Sequence, residues 1–248
     1  PRTLPELPQV AVERFAAAGQ EQLRKAYEEA RAKPSDAGAN GRLGMILHAY
    51  EQYDSAAPCY ARARILDPQQ FQWVYLLGTV QAMAGRNTEA AASLREALRR
   101  DPDYVPAQVK LADVLLALGR LRESQQLYES LAARYPQLAQ AHYGVGRARA
   151  AQGDAAGALD PYRQACALTP VFGAARYGLA QAYQKLGETA KAREELALYR
   201  KDPLGGPVVP DQLLDQVKAL NQGAVYHLRK GVSLEAAGRV QESIAEHE

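Results

Sequence analysis

The sequence predicts an all-α fold, a solenoid of stacked antiparallel helical hairpins. Three observations predict it. Pro34, Pro68, Pro102, Pro136 and Pro170 recur at a constant step of 34 residues. Gly85, Gly119, Gly153 and Gly187 stand between them at the same step. Between these marks, apolar and small residues recur at helical spacing rather than strand spacing. A fixed period of this length marks one supersecondary piece repeated, each copy covering the apolar face its neighbour leaves open.

Placing Pro at position 32 sets the register. Five repeats follow, at 37–70, 71–104, 105–138, 139–172 and 173–203. Large residues occupy position 7 (Leu43, Leu77, Leu111, Val145, Leu179) and help make the first half of each repeat an amphipathic helix A. Glycine at position 15 suits the left-handed residue that ends a helix. Small residues at position 20 (Ala56, Ala90, Ser124, Ala158, Ala192) and mostly small ones at 27 begin the stripe of helix B. Position 24 carries Tyr60, Leu94, Tyr128, Tyr162 and Leu196. Small residues at 8, 20 and 27 let the two helix backbones approach. Proline at 32 stops helix B and pushes its predecessor toward extended geometry. Within helix B, Pro161 predicts a local distortion, because it lacks an N–H and crowds the carbonyl of Gly157. Pro58 should disturb less, behind an expected N-cap at Asp54.

This pattern resembles the tetratricopeptide-repeat (TPR) family, whose signature falls at positions 4, 7, 8, 11, 20, 24, 27 and 32. The resemblance covers residues 37–203 as five repeats and implies a right-handed superhelix. Residues 1–36 read as an extended segment, with Pro1, Pro5 and Pro8, followed by a capping helix equal to half a repeat. The interval fails after Gly187, since the next comparable glycine is Gly238. Residues 204–223 then read as a linker and an extra helical segment, and 224–248 as an incomplete sixth repeat. The stripe Leu213, Val217, Leu220, Ala224, His227, Gly231, Leu234 predicts one continuous helix from Asp211 to Ala237. Its first half should pack on the fifth repeat or over one end of the groove. Ile244 should be exposed in the sixth repeat.

Composition narrows the function. The chain holds 30 Lys and Arg against 28 Asp and Glu, a net charge of +2, which argues against a nucleic-acid binder. The two cysteines are far apart and outside any CxxC pair, so neither a disulfide framework nor a metal site is written here. No apolar run reaches the length of a membrane span. The chain opens on Pro1 without Met, as a processed or trimmed form would, and its many Ala, Arg and Leu suggest a bacterial source. The compartment, cytoplasmic or exported, is not specified.

No HExxH, GxSxG or phosphate loop occurs, and no pair of carboxylates is set as acid and base. His48, His142, His227 and His247 read as packing or rim residues, and Cys59 and Cys166 as small apolar fillers. The expectation is a non-enzyme without cofactor or metal. The resemblance implies a concave surface lined by the A helices, with positions 5, 6 and 9 facing it. The candidate partner-binding residues are Arg42, Met45, Tyr75, Thr79, Lys110, Asp113, Tyr143, Arg147, Tyr177 and Gln181. Tyr and Arg are the residue types that anchor interfaces. The family's clamp for chaperone carboxylates needs Lys at 5 and Asn at 9, and neither occurs in the five repeats. The expected partner is a protein or peptide, with oligomerisation through the incomplete sixth repeat as an option. The rival reading is a recruiting region of a larger enzyme whose catalytic domain lies elsewhere.

Overall fold

A computed structural model of the chain describes residues 3–222, 228, 231–235 and 238–247, and the side chains of 243 and 245–247 are outside the described set. The chain divides into two compact units. The first holds the residues up to Ala84 together with those from Gln212 onward; the second holds Gly85–Asp211.

In the first unit an extended segment leads through a 3-10 turn at Val12–Arg14 into α1 (Ala17–Ala32). One and a half repeats of helices follow: α2 (Ala37–Ala49), α3 (Tyr53–Leu66) and α4 (Phe71–Met83). The later part of the chain adds α12 (Gln212–Lys218) and α13 (Val240–His247). The second unit comprises α5 (Asn87–Arg100), α6 (Val105–Ala117), α7 (Leu121–Arg134), α8 (Ala139–Ala151), α9 (Ala155–Leu168), α10 (Gly173–Lys185) and α11 (Thr189–Lys201). From α1 to α4 and from α5 to α11 consecutive helices pack on one another, as stacked hairpins require.

The punctuation works as the sequence predicts. Gly85, Gly119, Gly153 and Gly187 all have φ between 72° and 87°. Glu51 fills the same position in the first repeat and adopts φ 61°, a left-handed conformation that costs a residue with a Cβ about 1–2 kcal/mol. Helices α1, α3, α5, α7 and α9 each end two residues before their proline, at Ala32, Leu66, Arg100, Arg134 and Leu168. The same device stops α11 at Lys201, two residues before Pro203.

Tyrosine at position 24 drives the stacking of the second unit. A Cβ on Gly144 would lie 2.3 Å from the Tyr128 ring, and one on Gly178 would lie 2.6 Å from the Tyr162 ring. Glycine at position 6 of one repeat therefore admits the tyrosine of the repeat before. Tyr128 packs with Val109, Ala112, Leu131, Ala141 and Val145, and Tyr162 with Ala158, Leu179, Tyr183 and Ala192. In the first unit Tyr60 stacks on Trp73 with ring centroids 6.5 Å apart.

Several expectations are corrected. Helix α9 includes Pro161 within its span, and the local disturbance expected there is the helical bond that the proline cannot make. The Gly157 carbonyl, which loses its helical donor to the proline, accepts instead from Arg149 Nη1 at 3.1 Å. Helix α3 begins at Tyr53 with Gln52 before it, so Asp54 lies inside the helix rather than capping it, and Pro58 is its sixth residue. The continuous helix from Asp211 to Ala237 does not form, because α12 stops at Lys218 and residues 221–222 leave helical geometry. Ala224, His227 and Ala237 lie outside the described residues. Of the two seats expected for the extra segment, the A-helix face is the one it takes rather than the fifth repeat: α12 packs on α2 and α4, the A helices of the first two repeats. The extended N-terminal segment is tied to α3, where Arg62 donates to the Pro5 carbonyl at 2.5 Å. Arg62 is itself buried and also donates to Asn40 Oδ1 and the Pro34 carbonyl.

Candidate functional site

In the second unit the A helices α6, α8 and α10 lie side by side, which places positions 5, 6 and 9 of three repeats on one face. Position 9 carries Asp113, Arg147 and Gln181 in turn. Residues at the same position of successive repeats are neighbours in a stack, so opposite charges there can meet. They do: Arg147 Nη1 donates to Asp113 Oδ1 at 2.5 Å. The pair is half-exposed, at 34% and 37% of the side-chain surface. The Arg147 guanidinium also stands over the Tyr143 ring, 5.4 Å from its centroid, one helical turn earlier on α8. Burial is the largest single effect and works against the Arg147 cation, but the Asp113 carboxylate together with Tyr128 and Tyr143 outweighs it and holds the guanidinium pKa up.

Tyr143 is half-buried. Its ring lies 4.7 Å from that of Phe172 and 5.9 Å from that of Tyr162, and burial pushes its phenol upward in pKa. It therefore packs as well as presents. Tyr128 lies beneath the pair, fully buried, with its hydroxyl lacking a hydrogen-bond partner. Burial, and next the nearby Asp113 carboxylate, hold that phenol neutral well above its ordinary range. Tyr177 on α10 is 44% exposed and leans on Tyr199 at 5.3 Å. Gln181 is exposed and Lys110 half-buried on the same face. Of these candidates the structure brings Asp113, Tyr143 and Arg147 into contact, while Lys110, Tyr177 and Gln181 lie on the neighbouring A helices α6 and α10 and are at least partly open.

The first unit treats its candidates differently. Arg42 is exposed and lines a cleft of about 380 Å³ with Glu21, Lys25, Glu29 and Gln222. Met45 Sδ accepts from Gln72 Nε2 at 3.5 Å. Tyr75 and Thr79 are only 0% and 2% exposed. The Tyr75 ring stacks on Phe71 at 5.6 Å, and the Thr79 hydroxyl donates to the Tyr75 carbonyl. Neither is open to a partner in this arrangement. The missed signal was in α4 itself: Trp73 through Val80 are all buried, and a helix apolar all round is covered on every side. Sequence reasoning also missed Asn221, whose carboxamide donates to the Ala49 carbonyl across 172 residues of chain. No local pattern flags such a bond.

The two described histidine side chains have structural partners. His48 is buried with Nδ1 3.3 Å from the Tyr60 hydroxyl, and His142 Nε2 lies 2.9 Å from the Pro136 carbonyl. His227 and the side chain of His247 are outside the described residues. Cys59 and Cys166 are free and buried, and burial pushes their thiols up to about 12 and about 11. Among the described residues no helix is long and apolar enough to cross a membrane, and no three His, Cys, Asp or Glu gather as a metal site would need.

Three tetratricopeptide-repeat models match the chain, at residues 50–105, 81–147 and 146–187. Among curated proteins, the TPR repeat-containing thioredoxin TTL4 of Arabidopsis thaliana is 30% identical over 98 residues, 40% of this chain and 14% of that one. Superkiller protein 3 of Schizosaccharomyces pombe is 29% identical over 102 residues, 41% of this chain and 7% of that one. The chain therefore spans only a small part of the length of these relatives. Among solved structures, MamA 41-end from Desulfovibrio magneticus RS-1 superposes with a TM-score of 0.63 at 16% identity, over 67% of this chain and 94% of that one. YrrB, described as a TPR protein with an unusual peptide-binding site, superposes with a TM-score of 0.58 at 19% identity, over 79% of this chain and 99% of that one.

Proposed function

The chain belongs to the tetratricopeptide-repeat family, and from that premise we propose that it is a non-catalytic interaction scaffold whose α6–α8–α10 face binds a peptide or protein segment. Protein–protein interaction is the general role of such repeats. The observation that carries the finer reading is the Arg147–Asp113 pair set over Tyr143 on a half-open face. A partially desolvated arginine beside aromatic rings supplies directional donors and flat apolar area together, the combination that dominates interface energetics. A preformed face built on three packed helices loses little entropy on binding. YrrB, of the same fold, is described as having a peptide-binding site, which supports a peptide as the ligand class.

The test is affinity capture followed by mass spectrometry, comparing wild type with Arg147→Gln plus Tyr177→Ala. Tyr143 is left alone because its ring packs on Phe172. The double variant should keep its helical spectrum and lose the captured partner. Retention of the full wild-type partner set by a folded variant refutes the assignment. A second reading, a recruiting region within a larger enzyme, is favoured by the thioredoxin named among the relatives. The full-length reading frame decides between them.

A further inference from the structure

We propose that the A-helix face of α2 and α4 is a receptor for a short amphipathic helix, filled in cis by residues 212–222 and open to a partner helix of the same pattern. This is a second surface, in the first compact unit, and it does not depend on the reading of the α6–α8–α10 face.

The seat is specific. Helix α12 packs on α2 and α4. Val217 is its buried side chain, at 2% exposure, flanked by half-buried Leu213, Leu214 and Leu220. Gln212, Asp215, Gln216 and Lys218 face solvent, and Lys218 pairs with Asp215 at 3.5 Å. After α12 the backbone leaves helical geometry and is held by hydrogen bonds. Gln22 Nε2 donates to the Leu220 carbonyl at 2.9 Å. Asn221 Nδ2 donates to the carbonyl of Ala49, the last residue of α2, at 2.7 Å. The Gln222 N–H donates to the Tyr50 hydroxyl at 3.2 Å. The Ala49 carbonyl is one of the acceptors that a helix end leaves without an intrahelical donor. Asn221 thus caps α2 from a distant part of the chain.

Three features make this segment a ligand rather than a repeat. It falls where the 34-residue period breaks, so it does not continue the stack. It is a helix of 7 residues, too short to persist alone in water, so its helicity depends on the seat. It is attached through residues 203–210, where Leu204 and Val208 are almost wholly exposed; this tether is tied at Gly205, whose carbonyl accepts from the Gly173 N–H at 2.9 Å, and at buried Asp211, which accepts from the Tyr104 hydroxyl at 2.8 Å, so the anchors lie before the helix rather than along it. A helix held by one buried valine and a few hydrogen bonds is replaceable. The partner would present aliphatic residues at i, i+4 and i+7 with a carboxamide at i+8, the spacing of Leu213, Val217, Leu220 and Asn221. Tethering gives the cis segment a high effective concentration, so a competing helix must exceed it in affinity or arrive when it is open.

The probe is a fluorescein-labelled peptide of residues 210–222, PDQLLDQVKALNQ, measured by polarisation against wild type and Val217→Asp. The substitution places a charge in the seat and should release the cis segment. Val217→Asp should bind the peptide at least tenfold more tightly than wild type does, and a peptide carrying Asn221→Ala should lose at least threefold. A folded Val217→Asp protein that does not bind, or equal binding by wild type, overturns the proposal. If Val217→Asp fails to fold, hydrogen exchange of wild type decides. Amides of 213–218 should exchange at least tenfold faster than those of α2 and α4, and equal rates overturn the proposal. A wild-type dimer that Val217→Asp dissociates would place another copy's segment in the seat and overturn the cis assignment.

Discussion

Arg149 and Pro161 should be energetically coupled, and a double-mutant cycle measures by how much. Pro161 cannot donate to the Gly157 carbonyl, and Arg149 does so in its place at 3.1 Å. The same guanidinium pairs with Glu129 at 2.9 Å, with the two side chains 33% and 41% exposed. Arg149→Met removes both contacts. The stranded carbonyl, only partly buried, costs about 1–2 kcal/mol. The pair, partly screened by water, adds about 0.5 kcal/mol. The single variant should therefore lose about 2 kcal/mol. Pro161→Ala restores an N–H four residues from Gly157, so in that background Arg149→Met should cost only the ion-pair share. The coupling energy is expected near 1–1.5 kcal/mol, well above the few tenths shown by independent sites. The assay is urea unfolding followed by circular dichroism, with the slopes compared so that a change in cooperativity is seen. A coupling below about 0.3 kcal/mol would show that the arginine does not replace the missing helical bond, and the account of how α9 spans Pro161 would fail.

Glu51→Gly should stabilise the first repeat by about 0.5–1 kcal/mol, because it removes a left-handed φ of 61° from a residue with a Cβ; a lower melting temperature would contradict this. Tyr128→Phe should change stability by less than about 1 kcal/mol, since the buried hydroxyl has only the nearby Asp113 carboxylate to lose and no partner in good hydrogen-bonding geometry; a loss above about 1 kcal/mol in urea would show that it is firmly bonded. Gly144→Ala should cost about 2–3 kcal/mol, because its Cβ would meet the Tyr128 ring at 2.3 Å; a neutral result in the same assay would show that the ring can move aside. Alkali should weaken the fold. The folded thiols of Cys59 and Cys166 and the phenol of Tyr162 are pushed up to about 12, 11 and 12. Above the unfolded values the unfolded chain loses these protons first, so their contribution is intact below about pH 8.5 and declines from there through pH 12. The melting temperature should fall steadily from pH 9 to pH 11, and a flat profile would refute the burial argument.

Periodic features were legible because each repeat restates them. The proline at position 32 and the glycine at 15 fix where helices end through backbone sterics alone, and both act as read. The stacking rule that pairs Tyr128 with Gly144 and Tyr162 with Gly178 was also present in the register, as position 24 against position 6 of the next repeat. Position 6 does not announce it, because the family register gives that position to the open face. The meeting of Asp113 with Arg147 follows from the same rule, as equal positions in successive repeats. Pro161 shows the limit of local reasoning. Its effect on the helix depended on an arginine in the preceding A helix, and that arginine carries no mark of its task.

The largest departure concerns α4, and there the sequence held the answer in a form that family register concealed. A register assigns Tyr75 and Thr79 to the open face by position. The composition of α4, FQWVYLLGTVQAM, contains no charge and almost no polar side to present to water. By the hydrophobic argument alone, such a helix must be covered on the side its own stack leaves open. Helix α12 packs on it, and Tyr75 and Thr79 are buried. The contrast with α8, AQAHYGVGRARAA, is instructive. That helix carries Arg147 and Arg149 among small residues, and Tyr143 and Arg147 there are half-buried. Position names the face a residue can occupy; the polarity of its helix decides whether that face meets solvent or another part of the chain.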